Sequence, residues 1–69
     1  MNELINAVRA HAHANYNRDG WDFLVECWGD EDIAHAMGKA KTPKSAIANC
    51  KRTVKALDLH RREQQGGWW

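Results

Sequence analysis

Two cysteines, four histidines, a single serine and nine acidic residues hold whatever chemistry this 69-residue chain can perform. Cys27 with His35, or Cys50 with His60, are conceivable thiolate pairs, but neither has a convergent third group, and a buried cysteine without one is inert. A zinc site drawn from Cys27, Cys50 and two histidines lacks the close ligand pairs that mark such sites. His11 and His13 lie about 200° apart around a helix, so they cannot share one metal and are expected at the surface. Asp30, Glu31 and Asp32 suggest calcium, yet the spaced oxygen ligands, central glycine and distal glutamate of a calcium loop are missing. Acids in a first helical turn explain them. Ser45 belongs to a helix start, and no glycine-rich phosphate loop is present. The expectation is therefore a non-enzyme with no cofactor and no metal, in which Cys27 and Cys50 are reduced core residues.

The elements that carry these residues read as an all-α domain over residues 1–65, a compact bundle of about four helices followed by a Gly-Gly-Trp-Trp tail at 66–69. The stretch Asp19 to Ile33 is central, because it holds two of the four tryptophans and the only phenylalanine. Trp21, Leu24, Val25 and Trp28 fall at i, i+3, i+4 and i+7 and make one apolar helix edge, while Asp22 and Glu26 share another face. A strand would need alternation, which fails at Leu24 and Trp28.

Taken in order, Leu4, Ile5, Val8, Ala12 and Tyr16 recur at helical spacing and predict a first helix from about Glu3 to Asn17, with Asn2 as its cap. Asn17-Arg18-Asp19-Gly20 is a turn, with Asp19 as the N-cap of a second helix ending near Trp28. Gly29 stops that helix. Asp30 then caps a short third one from Glu31 to Met37, with Ile33, Ala34 and Met37 inward and Gly38 at its end. Thr42-Pro43 starts the fourth and longest helix. Its apolar stripe is Ala46, Ile47, Cys50, Val54 and Leu57, and it extends to about Glu63 or Gln65. Leu4, Val8, Trp21, Leu24, Val25, Trp28, Ile33, Ile47, Cys50, Val54 and Leu57 are the expected core, with helices one, two and four supplying most of it.

A chain this short buries only about 60% of its unfolded surface, so the aromatic cluster must contribute heavily to stability. Net charge is only +1, but its distribution is uneven. Two basic residues face seven acids up to Gly38, and eight basic residues face two acids beyond it. Either the halves attract one another within the domain, or they form an acidic face and a basic face for different partners. Lys44, Lys51, Arg52, Lys55, Arg61 and Arg62 lie off the apolar stripe of helix four, where they can meet phosphates or an acidic protein. Trp68 and Trp69 follow a glycine hinge and either fold back or anchor in a partner's pocket. No apolar run approaches the length that crosses a membrane, and no secretory signal opens the chain, so a reducing cytoplasm is the expected location.

The run Ala14-Asn15-Tyr16-Asn17-Arg18-Asp19-Gly20-Trp21-Asp22-Phe23-Leu24-Val25-Glu26-Cys27, with Asp30-Glu31-Asp32-Ile33 and Arg61-Arg62-Glu63, resembles a family of small phage and prophage proteins, most closely its transcription regulators that bind RNA polymerase. The resemblance spans most of the chain. It implies a phage protein acting in the host bacterial cytoplasm, binding host RNA polymerase, suppressing initiation by displacing the promoter-specificity factor, and promoting read-through of terminators. It carries over no individual contact residue. By exposure and chemistry the expected partner-binding residues are Arg9, Tyr16, Lys51, Arg52, Lys55, Arg61, Arg62, Trp68 and Trp69, with RNA or DNA phosphates as a secondary contact and a monomer as the expected state. Two further readings stand beside it. One is a phage inhibitor of another host machine, with Asp19 to Asp32 imitating nucleic-acid charge. The other is a helix-turn-helix DNA-binding regulator, although its recognition helix would carry Glu31 and Asp32 and no basic residue before Lys39.

Overall fold

In the computed structural model, which describes residues 3–66, four helices form one bundle: α1 (Glu3–Ala14), α2 (Trp21–Cys27), α3 (Asp30–Met37) and α4 (Pro43–Gly66). Asn2, the expected first cap, and Trp68 and Trp69 lie outside the described residues. The long α4 is the spine: α1, α2 and α3 all pack on it, and α1 also touches α2 and α3. The core consists of Val8 and Ala12 from α1, Trp21 and Leu24 from α2, Ile33 and Met37 from α3, and Ala46, Cys50 and Val54 from α4. Helices α1, α2 and α4 supply seven of these nine side chains, as expected, and the short α3 contributes as many as α1 or α2.

Helix α1 ends earlier than the apolar spacing suggests. Asn15 donates both its backbone N–H, at 3.1 Å, and its side-chain amide, at 2.8 Å, to the His11 carbonyl, and the helix closes there. Asn17 and Asp19 then adopt left-handed backbone, with φ of 69° and 50°, a conformation that asparagine and aspartate tolerate better than other residues. Asp19 therefore shapes the turn and does not cap α2. That position belongs to Gly20, itself left-handed at φ 81°. Tyr16, placed by its spacing on helix one, sits in this turn and is 41% exposed.

The boundary between α2 and α3 shifts by one residue. Asp30 is the first residue of α3 and not its cap. Gly29 precedes it, and the Gly29 backbone N–H donates to Asp32 Oδ2 at 3.2 Å. Of the three inward positions expected on α3, Ile33 and Met37 are buried but Ala34 is exposed, and Ala36 packs against the core instead. Helix α4 begins as its sequence requires. The Ser45 backbone N–H donates to Thr42 Oγ1 at 3.2 Å, directly ahead of Pro43.

Asn49 joins α3 to α4 in a way that apolar spacing does not reveal. Its amide donates to the Met37 carbonyl at 2.8 Å, satisfying a group at the C-terminal end of α3. At the next residue of α4 the Cys50 thiol faces the Ile33 carbonyl, one turn back along α3, at 3.9 Å. Among the described residues no helix is long and apolar enough to cross a membrane.

Candidate partner-binding surface

Among the described residues, no three histidine, cysteine or acidic side chains converge as metal ligands would. The two cysteines are both free but differ in setting: Cys50 is fully buried, whereas Cys27 is exposed and is not the core residue expected of it. Burial pushes the Cys50 thiol up to about 11, so it stays protonated and unreactive near neutral pH. His11 departs from the surface role expected of it. Its ring meets Trp21 edge-on, with centroids 5.0 Å apart and planes at 73°, a favourable aromatic geometry.

The expected partner-binding residues fall into three groups. Arg9 and Tyr16 are engaged within the domain: Arg9 pairs with Asp30 at the start of α3, and the Tyr16 hydroxyl donates to the Glu26 carboxylate on α2. That hydrogen bond, followed by slight burial and the charges of Glu26 and Asp22, holds the Tyr16 phenol above its ordinary value. Arg61 and Arg62 form the second group, on the distal part of α4. The Arg61 guanidinium lies 4.8 Å from the centre of the Phe23 ring, and Arg62 pairs with Asp58 at 3.3 Å. Lys51, Arg52 and Lys55 form the third. Their side chains are exposed and make no ion pair or hydrogen bond among the described residues.

Among the described residues no ion pair joins the acidic half of the chain to the basic half. Among the described residues the two ion pairs, Arg9–Asp30 and Arg62–Asp58, each lie within one half. The basic surface of α4 is left open, and the acids of α3 are partly occupied, Asp30 by Arg9 and Asp32 by the Gly29 N–H. A calcium or nucleic-acid-mimic role for these acids has to compete with those structural duties.

A second surface is apolar. Leu57, expected in the core, is 38% exposed and lines an open groove beside Trp28 and α3. Together Trp28, Ala36 and Leu57, with Asp32, His35 and Thr53, line an open groove of ≈ 290 Å³. Val25, Trp28, Ile47 and Leu4 are half-buried around the core, not within it. The groove was not legible from apolar spacing, which assigns Trp28 and Leu57 to the interior. The signal available was the end of α2 at Trp28, where a large side chain outlasts its helix.

Compared with protein-family models, with curated proteins and with solved structures, the chain matches none.

Proposed function

We propose that this chain is a phage-encoded, non-enzymatic regulator that binds host RNA polymerase, inhibits initiation and promotes read-through of terminators. The reading rests on the resemblance carried by residues 14–27, 30–33 and 61–63. The observation that carries it furthest is that Arg61, from the last of these stretches, lies over Phe23 from the first. Tyr16 also bonds Glu26, and Asp30 holds Arg9, so contacts between distant positions shape the surface on and beside α2. A surface assembled from distant segments needs the folded domain to present it, as a protein-binding regulator requires.

The chemistry of the surface also suits a protein partner. Protein interfaces favour aromatic and arginine anchors inside a polar rim. The Phe23–Arg61 contact, the exposed edge of Tyr16 and the groove beside Trp28 offer such anchors. Displacement of a specificity factor then needs no chemistry on the regulator's part. Occupying a surface that the factor also uses is enough, and the result follows from mass action.

The test is in vitro transcription with purified host-type holoenzyme on a template carrying one promoter and one intrinsic terminator. Added protein is expected to lower the promoter-initiated product and raise the read-through fraction. Unchanged initiation and unchanged termination at micromolar protein contradict the reading.

A further inference from the structure

At about 100° and 1.5 Å per residue, Lys44, Lys51, Lys55 and Arg62 fall within about 20° of a single line along α4 and span about 27 Å of it. All four are exposed. Lys44, Lys51 and Lys55 have no acidic partner among the described residues, and Arg62 shares its charge with Asp58. Asn49 bonds the end of α3 and Thr53 lines the groove beside it. On the same helical count these two lie about 140–180° around α4 from the row. The acids of α3 are therefore on the far side of the helix, and the row faces away from them.

We infer that this row is a track for the phosphate backbone of single-stranded RNA, bound without base readout. An acidic protein surface is the competing occupant, and residue types decide against it. Three of the four cations are lysines, which protein interfaces disfavour. No aromatic anchor lies within the row, and the apolar groove is on another face of α4. A line of well-separated point charges with long flexible stems suits a chain of phosphates, whose binding is driven by counterion release and needs no shaped pocket. The steps between successive cations are uneven, about 10, 6 and 10 Å. A flexible single strand adjusts its phosphates to such spacing, whereas a duplex holds them fixed. The absence of a stacking ring in the row predicts little preference among bases. The choice of RNA rests on the polymerase reading above, since a regulator seated on an elongating polymerase works beside the emerging transcript.

The experiment is fluorescence anisotropy of a labelled 20-nucleotide oligouridylate with the full chain and no polymerase, titrated from about 50 to 200 mM salt. The expected Kd at low salt is about 10⁻⁴–10⁻⁶ M, with a slope of log K against log salt of about −2 to −3. Lys51→Gln with Lys55→Gln is expected to weaken binding at least about fivefold and to flatten the slope by about 1.4. Arg18→Gln, an exposed cation off the row, is expected to leave both unchanged. Circular dichroism verifies that each variant keeps its helices. Three results overturn the proposal: no binding at 100 µM protein (about the weak limit of such contacts), binding unaffected by the double substitution, or equally tight binding of labelled polyglutamate or duplex DNA. Because polymerase is absent from this assay, its failure leaves the transcription assay to judge the polymerase reading separately.

Discussion

Gly20 lies against Asp58 so closely that a β-carbon on Gly20 would fall 2.9 Å from the Asp58 Cβ and 3.1 Å from Val54 Cγ1. The start of α2 is thereby seated directly on α4. The φ of 81° at Gly20 adds a second constraint, since left-handed backbone costs other residues about 1–2 kcal/mol. Gly20→Ala is therefore expected to destabilise the domain by about 2–4 kcal/mol, combining that strain with overpacking against α4. Gly29→Ala, which meets nothing within 4 Å, should cost no more than about 1 kcal/mol as a weaker helix cap. Thermal denaturation of both variants checks the difference, and equal losses would contradict the close packing at Gly20.

Trp21 is the largest fully buried side chain, with only 1% of its surface exposed. Its replacement by alanine removes about 3–5 kcal/mol. A domain of this size has only about 3–10 kcal/mol in total. Trp21→Ala is expected to be largely unfolded at 37 °C, whereas His11→Ala, which removes one edge-on contact, should cost about 0.5–1.5 kcal/mol beyond any lost packing. Near-ultraviolet circular dichroism, which follows the fixed tryptophan environment, distinguishes the two.

The cysteines give a prediction with a pH sign. The native protein should be alkylated rapidly at Cys27 and slowly at Cys50, with the second reaction limited by unfolding. Because Cys50 titrates at about 11 when folded and at 9.0 otherwise, the folded state holds the proton more tightly. Its contribution is fully present below pH 9 and is lost as pH rises from 9 to about 11. The loss amounts to about 2–3 kcal/mol at 1.36 kcal/mol per pH unit. Urea denaturation of Cys50→Ala should show a flatter stability profile across that range than the parent protein. Identical profiles would show that the buried thiol is not the cause.

Much of the fold was legible because local signals and apolar spacing agreed. Thr42-Pro43 marks the start of α4, and ten of the eleven core positions read from spacing are buried or pack directly on the core: Val8, Trp21, Leu24, Ile33, Cys50 and Val54 fully, and Leu4, Val25, Trp28 and Ile47 partly. Spacing failed where a side chain outruns its neighbours. Tyr16 continues the period of α1 past the point at which Asn15 and the left-handed Asn17 end it. Leu57 continues the period of α4 on a side where Trp28 and Ala36 leave an open groove. Cys27 and Ala34 sit beside apolar positions but face solvent, because short helices bury only a narrow arc. His11 and Asn49 were missed for the opposite reason. Both are polar, and their partial burial goes with partners, the Trp21 ring and the Met37 carbonyl, that come from other helices. The candidate surface was legible in residue type and illegible in pairing, since Arg9–Asp30, Tyr16–Glu26 and Arg61–Phe23 each join distant positions.

Binding of host RNA polymerase through the surface around α2 is the step on which the proposed function depends. The most direct test is retention of purified host-type core polymerase on immobilised protein, compared between the parent chain and Phe23→Ala combined with Arg61→Ala. The expected result is saturable retention by the parent chain, displacement by the specificity factor, and at least tenfold weaker retention by the double variant, about 1.4 kcal/mol, with its helices intact. No retention of polymerase at micromolar protein, or equal retention by the parent and the double variant, would contradict it.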